Sequence, residues 1–195
     1  ATASHHSVSE STSAEEIVNV AINKFGGVDI LCNAAGILRD RMIFNMSEQE
    51  WDAVIGVHLR GTFNIVRQAG AIFRRQTSGR FVTFTSTSGL VGNSGQANYG
   101  AAKAGIAAFS VITAMELVKY GVTVNCLAPA AFTRMTADLP GIVGTGEGAE
   151  EAMSPRWISV ITAWLCSEAA QNVTGRVFDV VGERLGIAEQ WHLGP

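Results

Sequence analysis

Four short strand-like runs, Val28 to Cys32, Arg80 to Thr85, Val122 to Leu127 and Arg176 to Val181, alternate along this chain with segments of helical period. Several are apolar at nearly every position, and a strand that is apolar on both sides must be covered on both faces, as parallel strands are. Helices have to supply that cover. The first is expected from a capping box at Ser13 to Glu16, with Ile17, Val20, Ala21 and Phe25 on one face and Gly26-Gly27 as its stop. A second box at Ser47 to Glu50, with Met46 and Trp51 placed as a hydrophobic staple, opens a long helix reaching to about Arg75. Further helices are expected from Gln96 to Tyr120 and from Pro155 to Ser167. Strand and helix in strict alternation imply right-handed βαβ units, and so an α/β, doubly wound, Rossmann-like parallel sheet with helices on both faces. Residues 1–12, small and polar without a period, read as a loose arm, and 13–195 as a single α/β domain. The glycine-rich stretch from Ala128 to Met153 is longer than most structural connections and reads as a lid or substrate loop.

At 195 residues, one core is the default. A net charge of -3 without any Lys/Arg run leaves no electrostatic footprint for nucleic acid or an anionic membrane, so small molecules are the expected partners. No apolar stretch approaches the ~20 residues that span a bilayer, and no basic-then-apolar signal opens the chain, which points to a cytoplasmic protein. Cys32, Cys126 and Cys166 lie in apolar runs without CxxC spacing and read as buried thiols in a reducing compartment. His5 and His6 lack a third ligand, so no metal site is expected.

Tyr99 and Lys103 stand four apart on an expected helix and share one face. Ser86 lies 13 residues before Tyr99, at a strand end. In a parallel sheet the carboxyl ends of the strands form the ligand crevice, so these three side chains can converge there. Reduction of a carbonyl needs a proton donor and a group to hold the oxygen as it gains charge. A phenol ionises near ~10, and a neighbouring ammonium would bring it nearer to working pH. Tyr99 is the candidate acid/base, Lys103 its electrostatic partner, and Ser86 the group that orients the carbonyl.

With these pieces the chain resembles the short-chain dehydrogenase/reductase family, from about Ser7 to its end. Ser86, Tyr99 and Lys103 match the family's catalytic residues, the lysine also being expected to hold the nicotinamide ribose. Asn33, Ala34, Ala35 and Gly36 resemble the element that borders the cofactor. Val124-Asn125 and Ala128-Pro129 resemble the strand and turn that hold the nicotinamide ring, with Ala130 where the family has glycine and Thr133 near the position contacting the carboxamide. His58 stands where most members carry an asparagine that completes a proton relay. The segments HLRGTF, GNSGQANYGAAK, TRMT and WLCSE are closest to the hydroxyacyl dehydrogenase region of peroxisomal multifunctional enzymes. The resemblance implies NAD or NADP as cofactor, a 3-hydroxyacyl-CoA or 3-oxoacyl substrate, and a homo-oligomer, either dimer or tetramer.

The glycine-rich turn that grips a dinucleotide pyrophosphate is expected before the first helix and is not found there, so the sheet is expected to lack its first strands and the choice between NAD and NADP cannot be read. Gly144 to Ala149 mimics such a turn, yet no strand-like run precedes it and Glu147, Glu150 and Glu151 would repel a pyrophosphate. A truncated, non-catalytic member of the family that serves in oligomerisation stays open beside the enzyme.

Overall fold

The computed structural model describes residues 1–133 and 149–189. Its centre is one five-stranded sheet in sequential order: β1 (Ile30–Asn33), β2 (Gly79–Phe84), β3 (Val122–Ala130), β4 (Val177–Val181) and β5 (Arg184–Ile187). The first four strands are parallel, as the apolar runs require. The fifth returns antiparallel through the two-residue turn Gly182-Glu183, a connection the sequence reading missed. Gly182 takes φ 54°, the left-handed backbone that a tight hairpin needs and glycine adopts at little cost.

The period of two along each strand sorts the core into two layers. Phe81, Val122 and Val124 face α1 (Ser11–Phe25), α3 (Gly61–Gln76) and α5 (Ala97–Leu117), packing with Val18, Ala69, Phe73 and Ala114. Val82, Leu127, Phe178 and Val180 face the opposite way, onto Ile161 and Leu165 of α7 (Arg156–Cys166). Short pieces complete the order: α2 (Glu48–Ile55), α4 (Thr87–Leu90) and α6 (Ala149–Ala152).

Several boundaries differ from the sequence reading, each for a packing reason. α1 begins at Ser11, and Ser13 donates to Glu10 rather than capping. The chain just before the helix is already docked: Asn64 Nδ2 donates to Val8 O at 2.9 Å, and Val8 packs on Gly61. The buried face of α1 centres on Ala14 and Val18 with Ile17 beside them, while Phe25 is exposed. The capping box at Ser47 and Glu50 is present in full. The helix it opens is interrupted by a π-turn, Gly56–Arg60, before α3. The run Ala97–Tyr120 is long and apolar enough to cross a membrane, contrary to the expectation that none is. It buries Asn98 and Lys103 and packs along β3, which are the contacts of a core helix.

Of the cysteines, only Cys126 is buried; Cys32 is exposed on β1 and Cys166 half-buried at the end of α7, contrary to the reading of three buried thiols. β1 is the sheet's outermost strand among the described residues, with Ile30 also exposed.

Candidate active site

β2 ends at Phe84, and the next residues turn into α4. Ser86 is the N-cap of α4, its hydroxyl accepting from Ser88 N at 3.2 Å. Thr85, fully buried, ties this turn to α5 by donating from its hydroxyl to Lys103 O at 2.7 Å. Gly89 makes the approach closer still, because a Cβ there would stand 2.6 Å from Ala104 N and 2.7 Å from Lys103 C. The strand end and the helix are thus held backbone against backbone, which brings the Ser86 hydroxyl near the Tyr99 phenol.

The Lys103 ammonium donates to Phe84 O at 2.7 Å and stands 5.5 Å from the centre of the Tyr99 ring. Lys103 is 6 % exposed, and burial pulls its pKa down to about 8. Tyr99 is raised above the ordinary phenol value, by burial first and by the Asp40 carboxylate last, with the nearby Ser86 hydroxyl opposing. The lowering of Tyr99 by Lys103 expected from their spacing is therefore not what this geometry gives. The ammonium sits over the ring and is turned to a backbone carbonyl.

His58 closes the other side. Its imidazole meets the Tyr99 ring edge-on at 5.1 Å between centroids. Nε2 lies 3.0 Å from Ile37 N and 2.8 Å from Ile37 O. A neutral imidazole nitrogen can accept from the amide or donate to the carbonyl, not both. An asparagine amide would offer both functions at once. Nδ1 is buried without a hydrogen-bond partner. Gly36 is needed for this packing, since a Cβ would come 2.4 Å from His58 Cε1. The π-turn is anchored through Asn33 Nδ2, which donates to Thr62 Oγ1, and Thr62 in turn donates to His58 O at 2.7 Å.

Burial first, and the Lys103 charge second, lower the His58 pKa to about 4 against the Ile37 hydrogen bond. The unfolded imidazole takes its proton near ~6.5 while the folded one resists it, so this group's contribution is complete above that value and is lost as pH falls towards the folded pKa. After discounting for solvent screening, His58→Asn is expected to lessen the stability lost between neutral pH and about pH 5 by roughly 1–2 kcal/mol. Urea melts at both pH values measure it; equal losses in the two proteins would remove His58 from the acid response.

Asn33, Ala34, Ala35 and Gly36 leave the end of β1, and Pro129 and Ala130 form the end of β3, so these groups share the carboxyl edge with Ser86. β3 runs three residues beyond its expected end, and Thr133 follows it, half-buried. Asn125, fully buried, pins β3 by donating from Nδ2 to Val173 O at 2.7 Å. Most of the expected substrate loop, TRMT beyond Thr133, and the decoy turn up to Gly148 lie outside the described residues.

The sequence reading passed over the residue that organises the mouth of the site. Asn98 is fully buried; its Nδ2 donates to Arg39 O and Glu50 O, and its Oδ1 accepts from Tyr99 N at 2.7 Å. One side chain thus joins the loop after β1, the end of α2's first turn and the residue bearing the phenol. A polar residue one position before Tyr99, on a helix otherwise rich in alanine, was the available signal. A cavity of about 860 Å³ opens elsewhere, between α4, α5 and β5, lined by Leu90, Val91, Ala107, Val111 and Ile187; Ser86, Tyr99 and Lys103 do not line it.

Residues 1–140 match the short chain dehydrogenase family. The chain belongs to that family. It is 43% identical over 195 residues to a hydroxyacyl-CoA dehydrogenase of Mycobacterium tuberculosis, covering 95% of this chain and 61% of that protein. It is 40% identical over 167 residues to the peroxisomal multifunctional enzyme type 2 of Mus musculus, covering 85% of this chain and 22% of that protein. A crystal structure of a short chain dehydrogenase from Mycobacterium avium superposes with a TM-score of 0.87 at 42% identity, covering 100% of this chain and 65% of that one. The chain spans about three fifths of the length of the first of these relatives.

Proposed function

We propose that this chain carries the catalytic part of an NAD(P)-dependent oxidoreductase that interconverts the hydroxyl of a 3-hydroxyacyl thioester and the corresponding ketone. The observation that carries the reading is the convergence of three side chains at the carboxyl edge of a parallel sheet: the Tyr99 phenol, the Lys103 ammonium over its ring, and Ser86 at the head of the turn held against the same helix. Relatives whose names specify hydroxyacyl-CoA dehydrogenation and 3-oxoacyl reduction support the substrate class.

Ser86 holds the substrate oxygen by donating to it, and Tyr99 gives or takes the proton at that oxygen. Lys103 uses one of its three donors on Phe84 O, so its chemistry fits a second partner with hydroxyl oxygens such as a ribose. A nicotinamide bound against Asn33 to Gly36, Pro129, Ala130 and Thr133 would supply or accept the hydride. His58 completes the wall behind the phenol, and its orphan Nδ1 fits a water-borne proton path. The geometry around Tyr99 favours a working enzyme over a silent scaffold, because it preserves groups that association alone does not require.

A phenol held above its ordinary value stays protonated well into the alkaline range. Reduction, which needs the phenol, is therefore expected to hold its rate at about neutral pH, while oxidation, which needs the phenolate, is still rising at about pH 9. Initial rates in both directions across that range check this. The reading as a whole is tested by titrating the chain with NADH and NADPH, following nicotinamide fluorescence, and then assaying a 3-hydroxyacyl-CoA. No binding up to millimolar cofactor would mean that this polypeptide does not work as a dehydrogenase by itself.

A further inference from the structure

We propose that Cys32 and Cys166 are a thiol pair built to be oxidised to an intramolecular disulfide that staples β1, the outermost strand among the described residues, to the end of α7. Their sulfurs stand 3.6 Å apart although 134 positions separate them in the sequence. The placement follows from the fold. Cys32 is in register with Val82 of β2, and Cys166 packs on the cluster that Val82 and Phe84 form on the same face of the sheet. Both side chains therefore project into one space beside Val82. A disulfide needs the sulfurs to close to about 2.0 Å, a movement smaller than a rotamer change delivers.

Although Cys32 is exposed as a residue, its sulfur is turned toward Cys166, and desolvation there, followed by the neighbouring sulfur, pushes its pKa up to about 12, which makes Cys32 a poor first nucleophile. Cys166 is then the attacking thiol. As thiolate it attacks one sulfur of a small-molecule disulfide such as oxidised glutathione and expels one glutathione thiolate. Cys32 next gives up its proton and displaces the second glutathione from Cys166. Two cysteine thiols lose two electrons and two protons, and one oxidised glutathione takes them up as two thiols.

The consequence falls on the cofactor-bordering segment. β1 pairs with β2 alone among the described residues and leads directly into Asn33 to Gly36, against which His58 packs. A bond at Cys32 fixes this outer strand from the face opposite α3, where the register leaves it exposed. The inference does not depend on the oxidoreductase reading.

The test is native oxidation of the chain with excess oxidised glutathione, followed by alkylation, intact mass and peptide mapping. The expected result is a fall from three free thiols to one, Cys126, with the peptides of Cys32 and Cys166 joined, the mass of two hydrogens lost, and full reversal by dithiothreitol. The oxidised protein melts higher than the reduced one, and Cys32→Ser and Cys166→Ser each abolish that rise. Three thiols still open to alkylation, a link through Cys126, or chains joined in pairs through Cys32 would each overturn the pair. A correct link that leaves the melting temperature unchanged would overturn the staple.

Discussion

Tyr99→Phe is expected to lower turnover of a 3-hydroxyacyl-CoA by about 10²- to 10⁴-fold, the range that a positioned acid/base group contributes, while leaving the fold and reduced-nicotinamide binding as they were. The substitution removes one oxygen and nothing else. The ring's edge contact with His58 and its place under Lys103 persist, because neither uses the hydroxyl. The Tyr99 backbone stays fixed by Asn98 Oδ1. The loss should therefore appear in kcat, with the cofactor's dissociation constant and the melting temperature unmoved. Turnover within about tenfold of the unsubstituted chain would transfer the proton step to another group, and His58, with its unpartnered Nδ1, would be the first to examine.

How much of this could be read beforehand differs from element to element. The parallel sheet was legible because strands covered on both faces must be apolar at nearly every position, and VTVNCLA carries that mark and is buried throughout, whereas VDILC carries it although Ile30 and Cys32 are exposed among the described residues. β5 carries no such mark: RLGI is short and mostly exposed, and only the glycine of its turn hinted at it. Ser86, Tyr99 and Lys103 were legible as a set because two lie on one helix face and the third ends a strand. What spacing could not give is orientation. Four residues of separation put Lys103 on the side of Tyr99, yet the carbonyl of Phe84, from another strand, decides where the ammonium points. The interruption at Gly56–Arg60 was hidden for a similar reason, since GVHLRG keeps a helical pattern while the turn's His58 contacts Ile37 in a loop 21 positions away. The position of Asn98 was a signal, but its role was not legible because its Nδ2 donates to backbone groups 48 and 59 positions away. Thiol proximity escaped for the same cause: Cys32 and Cys166 meet only once α7 has crossed the sheet.

Gly89→Ala is expected to damage stability and catalysis together. The added Cβ would press on Ala104 N, Lys103 C and Lys103 Cβ, all below 3 Å, and two of these are main-chain atoms of α5 that no rotamer change can move. Relief requires α4 to back away from α5, stretching the Thr85 hydroxyl bond to Lys103 O. Overpacking of this kind costs about 1–3 kcal/mol. Ser86 is the N-cap of the displaced turn, so it moves with α4 while Tyr99 and Lys103 stay on α5. A displacement of about 1 Å between groups that must meet one substrate oxygen costs on the order of 10²-fold in rate, and that loss should exceed what the fraction unfolded explains. Gly27→Ala is the matched control, because a Cβ there meets nothing within 4 Å and the backbone is not in the left-handed region. Urea melts and initial rates on the two variants separate the effects. If Gly89→Ala kept both stability and rate, the backbone contact between α4 and α5 would not be what sets Ser86 against Tyr99. If it lost stability alone, Ser86 would be positioned by β2 rather than by the turn.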